Sequence, residues 1–399
     1  MSDILKLSAA FLVMIVLIRR KHNVGVVLIA ASAVIFAAYR MGPAAIGGVL
    51  YDAATSKVGI KLLIALTFIR MLEIILREQD VFLKMMKTIE GYLRNRRCVI
   101  ISMPLLIGMM PSVGGAHFSC PMVEESTKGL NLSREDKAFT NYWFRHPWEM
   151  ILPVYPGVVL ASVIAHVELR TLIAMNMAVA AAFVTAGFLF SMKGVRGNTD
   201  AVHERPSGGL LSFIPIAALL LLVMGAGLEP HTALLLLVFS LMLYYRHDAP
   251  TVIRVFKYGF AKDVLLLIAG VLLFKECLEA SGAVRNLSVF LVERGIPLTS
   301  LLILPSFVSG LLMGITVGFV GAVFPLLINL PGVDAHAVAL AFAAGYAGVL
   351  LSPVHVCLIL TREYFQADLW GIYKRIIPAT LVIFAVALAE YFLYRLPIR

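Results

Sequence analysis

The chain has 399 residues, of which 60% are hydrophobic and 15% charged, and it carries four cysteines and a net charge of +10. Soluble domains average about 25% charged residues, so this composition excludes an ordinary water-soluble fold. The basic excess sits in short stretches between apolar runs, where it encodes membrane orientation rather than nucleic-acid binding, and the scattered cysteines exclude a CxxC redox or zinc-ribbon framework.

The first apolar run, Ile4–Ile18, has no small-residue cleavage site and ends at Arg19-Arg20-Lys21. It reads as a retained span rather than a signal peptide. Further spans are predicted at 24–40, 58–77, 138–165 and 170–192, then at 209–226, 231–245, 262–280, 337–361 and 372–395. Two apolar stretches, 98–128 and 298–328, are interrupted by Gly and Pro. Lipid offers nothing to free backbone N–H and C=O groups, so broken backbone at membrane depth needs cover from protein or a wet cavity. Both stretches are therefore predicted to be re-entrant hairpins at a binding site. With the first loop in the cytoplasm, 21 Lys and Arg fall on the cytoplasmic side and 9 outside, which predicts both termini to be extracytoplasmic.

The turn-rich linker at 193–209 cuts the chain nearly in half. Leu62-Leu63-Ile64-Ala65 returns as Leu266-Leu267-Ile268-Ala269, and Val113-Gly114 and Pro121 return as Val317-Gly318 and Pro325, all at the same offset. Pro153-Val154 returns as Pro353-Val354. The expected fold is all-α and polytopic, with two repeats, 1–192 and 210–399. Each repeat has five spans and one hairpin, and the odd number of crossings inverts the second repeat.

The stretch Pro-Ser-Val-Gly-Gly-Ala-His-Phe-Ser-Cys-Pro-Met-Val-Glu-Glu at 111–125 is followed by a degenerate echo, Gly-Ile-Thr-Val-Gly-Phe-Val-Gly-Ala-Val-Phe-Pro, at 314–325. It resembles the domain of unknown function 401 group. That group is thought to lie in the ion transporter superfamily, beside gluconate, lactate, citrate and dicarboxylate permeases. The resemblance implies inverted repeats with paired hairpins, often in homodimers, and an elevator-like motion of the substrate domain. Sodium-coupled carboxylate members carry a Ser-Asn-Thr tip that neither hairpin here has.

Ionisable groups inside spans are costly and are functional candidates by default. With the hairpins' hydroxyl and backbone donors added, the substrate candidates are Ser112, Gly114, Gly115, His117 and Ser119 in the first hairpin, Arg145 on the proline-broken span, and Thr316 and Gly318 in the second hairpin. For a coupling ion or proton they are His146, Glu149 and Tyr155, their repeat counterparts Ser352 and His355, and Glu73. Structural alternatives stand beside these. Arg145 at the interface would pair with Glu149, His355 would serve a freed carbonyl, and Arg70–Glu73 and Lys275–Glu276–Glu279 would brace scaffold helices. Asn141, Tyr142 and Trp143 read as an interfacial belt. Gly310, Gly314, Gly318 and Gly321 fit a small-residue packing face.

The expected function is secondary transport of a small, anionic solute coupled to protons or a cation, with the lipid bilayer as surroundings, a homodimer possible, and no nucleic-acid partner. A cation/proton antiporter, a channel and a metal-dependent membrane enzyme are the alternatives. No Walker, HExxH or GxSxG motif is present, so no cofactor and no resident metal are expected.

Overall fold

The computed structural model describes residues 3–20, 22–111, 115–191, 195, 209–283, 286 and 293–395, without the side chains of Ile4, Glu90 and His117. The described residues are helical throughout, with no strand among them. In chain order the helices are α1 (Asp3–Arg19), α2 (Val24–Ala38), α3 (Pro43–Thr55), α4 (Lys57–Glu78), α5 (Val81–Tyr92), α6 (Arg96–Ile107), α7 (Ala116–Ser126), α8 (Arg134–Phe144), α9 (Pro156–Ala165) and α10 (Leu169–Phe190). They continue as α11 (Ile214–Leu220), α12 (Pro230–Tyr244), α13 (Ala249–Gly259), α14 (Lys262–Ala280), α15 (Leu298–Met313), α16 (Thr316–Leu327), α17 (Ala335–Leu351), α18 (Val356–Phe365) and α19 (Leu369–Arg395).

Among the described residues, three stretches are long and apolar enough to cross a membrane: Leu169–Phe190, Ala335–Phe365 and Leu369–Arg395. Six shorter apolar helices accompany them, among them α2, α9, α12, α15 and α16. Apolar side chains also face outward. Leu243, Leu304, Leu381 and Leu393 are all exposed, a distribution that water would penalise and hydrocarbon would not. The linker predicted at 193–209 lies almost wholly outside the described residues.

Several segments read as loops are helical. Residues 40–61 contain α3, 77–97 contain α5, and 246–262 contain α13. These helices are too short to span a bilayer and carry charges, so a search for long apolar runs passes over them. In α5, Val81, Phe82, Met85 and Met86 are buried while Leu83, Lys84 and Lys87 face outward. A single apolar stripe is enough to dock such a helix.

The span read at 138–165 is three pieces. Helix α8 stops at Phe144, a 3₁₀ turn covers Pro147–Met150, and α9 restarts at Pro156. The span read at 337–361 breaks at Ser352–His355, between α17 and α18. Proline accounts for both breaks, because it lacks an N–H and disfavours helical backbone in the residue before it. Packing around them is tight. A Cβ on Gly310 would overlap the Gly345 carbonyl, so α15 and α17 meet backbone to backbone, as the small-residue reading of Gly310 anticipated.

Candidate functional site

The broken elements meet at one buried point. Beyond Phe144 the α8 ladder fails, and the Tyr142 carbonyl that a continuing helix would pair with the His146 amide faces the His146 ring instead. His146 Nδ1 lies 2.5 Å from the Tyr142 oxygen, while the His146 amide turns to Trp143 at 3.1 Å. A carbonyl only accepts, so Nδ1 carries the proton and Nε2 points away with a lone pair. The Tyr346 hydroxyl donates to the His146 carbonyl at 2.6 Å, fixing the turn from behind.

The same device appears on the other side. Helix α15 ends at Gly314, whose φ of +65° suits glycine, and Ile315 leads into α16. The Gly314 carbonyl accepts from His355 Nδ1 at 2.8 Å. His355 therefore also presents a bare Nε2. The two Nε2 atoms face each other at 3.0 Å, with both rings buried.

Around this pair lies a cavity of about 210 Å³ lined by Met110, Pro111, Arg145, His146, Glu149, Tyr155 to Gly157, Gly314 to Val317, and His355 to Cys357. The Thr316 hydroxyl donates to Glu149 Oε2 at 2.7 Å, and Glu149 Oε1 sits 3.9 Å from His146 Nε2. Helices α9, α16 and α18 all begin on the cavity wall, so three N-termini add positive partial charge there. Arg145 is 4% exposed, and its Nε and Nη1 have no hydrogen-bond partner among the described residues. No ion pair within 4 Å joins Arg145 to Glu149 among the described residues, unlike the interfacial pairing weighed from sequence.

Of the residues singled out from sequence, the structure brings Arg145, His146, Glu149, Tyr155, Thr316 and His355 onto this cavity. Tyr155 serves a carbonyl at the end of α6, since its hydroxyl donates to Gly108. Ser112 and Gly114 lie outside the described residues, as does the His117 side chain, and Gly115 opens α7. The Ser119 hydroxyl turns back to the Gly115 and Ala116 carbonyls, both at 3.4 Å. Gly318 is buried against Met313 one turn into α16, off the cavity wall. Ser352 sits behind His355, its hydroxyl accepting from the Val354 amide at 3.4 Å.

Glu73 is elsewhere. It accepts from the Tyr258 hydroxyl at 3.0 Å and lies 3.9 Å from Arg77, while Arg70 stacks over the same tyrosine ring at 4.4 Å. Lys275 likewise pairs with Glu276 and Glu279, each at 3.0 Å. The Glu73–Tyr258 contact ties α4 to α13, whereas the Lys275 pairs lie within α14.

Asn141, Tyr142 and Trp143 are fully buried rather than a belt at the interface. Tyr142 donates to Leu350, Trp143 to Phe183, and Asn141 to Thr361. Sequence reasoning passed over Cys357, whose sulfur joins the two imidazoles in a group with all donor atoms within 4.8 Å. The available signal was His355-x-Cys357 immediately after a proline break.

A family model described as "Protein of unknown function (DUF401)" matches residues 2–393. No match is found among curated proteins.

Proposed function

The chain belongs to the DUF401 family, and we propose that it is a secondary active transporter, a permease that carries a small anion across the membrane driven by protons or a cation. The observation that carries this reading is the buried Arg145 guanidinium, two of whose nitrogens are unpartnered, on the wall of a cavity into which three helix N-termini open. Burying a charge without a partner costs several kcal/mol. An anion in the cavity, accepting from the Arg145 guanidinium turned toward it and from free amides in the first turns of α9, α16 and α18, would relieve that cost. Glu149 and the two imidazoles offer the driving ion a carboxylate and nitrogen donors on the same cavity.

Element order supports a duplicated, inverted architecture. The succession α6, α7, α8, break, α9, α10 is followed by α15, α16, α17, break, α18, α19. Helices α2, α3 and α4 likewise correspond to α12, α13 and α14. The helices after the two breaks end at His166 with φ +53° and at Gln366 with φ +50°, and α2 and α12 are followed by Arg40 and Arg246, both at φ +51°. In this reading each half contributes five spans and one re-entrant hairpin, α6–α7 or α15–α16, giving ten spans with both termini extracytoplasmic in a cell membrane. The hairpin domain, with α8–α9 and α17–α18, would slide in an elevator-like motion past the remaining helices. A place in the ion transporter superfamily accords with this arrangement.

Melting of detergent-purified protein against carboxylates, sugar acids, oxyanions and alkali cations, at two pH values, tests the reading. A ligand at 100 times its Kd stabilises by about 2.7 kcal/mol. Stabilisation by one class of anion supports the permease. A response to alkali cations alone would replace it with the antiporter.

A further inference from the structure

We infer that His146, His355 and Cys357 form a binding site for a borderline-soft divalent metal ion of the zinc type. This goes beyond the transport reading: with both imidazoles given to the metal, Glu149 is the group left for the driving ion, and metal binding is measured without transport. Each imidazole is locked by a backbone carbonyl on Nδ1, Tyr142 for His146 and Gly314 for His355, so that each presents a bare Nε2. This is the outer arrangement that metal-binding histidines characteristically have.

Two lone pairs held 3.0 Å apart repel unless an electrophile lies between them. A single shared proton would meet that need for the histidines alone, but the pair has a third donor beside it, hydrogen-bonded to His146. The Cys357 sulfur is that third donor, within 4.8 Å of both nitrogens on a half-buried cavity wall. A metal held at 2.0–2.3 Å from each ligand needs donors roughly 3–4 Å apart; the two nitrogens meet this at 3.0 Å, and the sulfur, within 4.8 Å of them, needs at most a small side-chain adjustment. Two imidazoles and one sulfur match the preference of zinc and its neighbours rather than that of magnesium or calcium.

Charge also balances. On binding, the Cys357 thiol releases its proton to bulk water and becomes a thiolate. That thiolate and the Glu149 carboxylate, 3.9 Å from His146 Nε2, offset the two charges of the ion. Arg145 then remains as positive charge on the same cavity. The restraining carbonyls come from both halves of the chain, Tyr142 from the first and Gly314 from the second, so metal binding would tie α8 to the α15–α16 turn.

The test uses the full-length protein, stripped with a chelator and titrated with Co²⁺ and then Zn²⁺. The expected result is one Co²⁺ per chain with tetrahedral d–d bands and a sulfur-to-metal charge-transfer band. Zn²⁺ should displace the cobalt and shield Cys357, but not Cys98, from a maleimide read by mass spectrometry. His355→Gln and Cys357→Ser should each weaken Zn²⁺ binding by about 100-fold or more. The wild-type spectrum and the alkylation pattern do not depend on either variant folding. Absence of stoichiometric cobalt binding, or equal alkylation of Cys357 with and without Zn²⁺, would overturn the site and leave a histidine pair that shares only a proton.

Discussion

Replacing Arg145 with Gln separates a binding role from a structural one by the sign of the stability change. If Arg145 were a structural ion-pair partner, its loss would strand a buried carboxylate and cost about 3–5 kcal/mol. Instead its Nε and Nη1 have no partner and the side chain is 4% exposed, so Arg145→Gln removes a buried charge with little to lose. The ligand-free variant should melt at or above the wild-type temperature. Anion binding should respond in the opposite sense. One charge-assisted hydrogen bond contributes about 1.5–3 kcal/mol, so losing a single one weakens binding about 10–150-fold. A 100-fold loss, at an anion concentration giving 2.7 kcal/mol of stabilisation to the wild type, leaves about 0.4 kcal/mol. Arg145→Lys should fall between, retaining the charge without the planar fork. The assay is a melting titration of the three proteins with the anion that stabilises the wild type most. A ligand-free Arg145→Gln protein destabilised by several kcal/mol, with its anion response intact, would refute the reasoning.

Gly314→Ala should disable the site and lower stability by about 1–3 kcal/mol, because φ is +65° there and the new Cβ would sit 2.9 Å from Ser352 Oγ; melting with and without anion reads both effects. Tyr346→Phe removes the 2.6 Å donor to the buried His146 carbonyl and should cost about 1–2 kcal/mol of stability, measurable by denaturation in detergent. Outside the spans, the Asp368 backbone amide beside Glu135 holds its carboxyl below the usual carboxylate range. A depressed folded-state value adds stability above the unfolded value, which is lost as pH falls through the folded one. Acidification below about pH 4 should therefore lower the wild-type melting temperature more than that of Glu135→Gln.

The parts of this architecture that sequence made legible are those where chemistry conflicts with the surroundings. Proline and glycine inside apolar runs marked the breaks at 145–156, 314–315 and 352–355, and ionisable residues beside them marked Arg145, Glu149 and His355. Glu73 follows the same rule but lies away from the cavity, where Tyr258, 185 residues away, satisfies it by a contact that only the fold creates. Tyr142 and Trp143 misled for a related reason. An aromatic residue beside a charge looks interfacial, but burial depends on which helices close over it, here α10 and α17. Cys357 was invisible because a cysteine in an apolar run usually packs as a small hydrophobe, and only the approach of His146 from the other half of the chain gives its sulfur company. Helices α3, α5 and α13 escaped because they are short and carry charges, and α5 docks by a single buried stripe that needs few apolar residues.

Counterflow in proteoliposomes tests the central claim most directly. Purified protein would be reconstituted into vesicles loaded with the stabilising anion, and uptake of the labelled anion followed with and without an imposed pH or cation gradient. Wild-type vesicles should show saturable, gradient-driven accumulation that Arg145→Gln abolishes at substrate concentrations near the wild-type KM. Uptake that fails to exceed that of protein-free vesicles, or that only equilibrates the anion whatever the gradient, would contradict it.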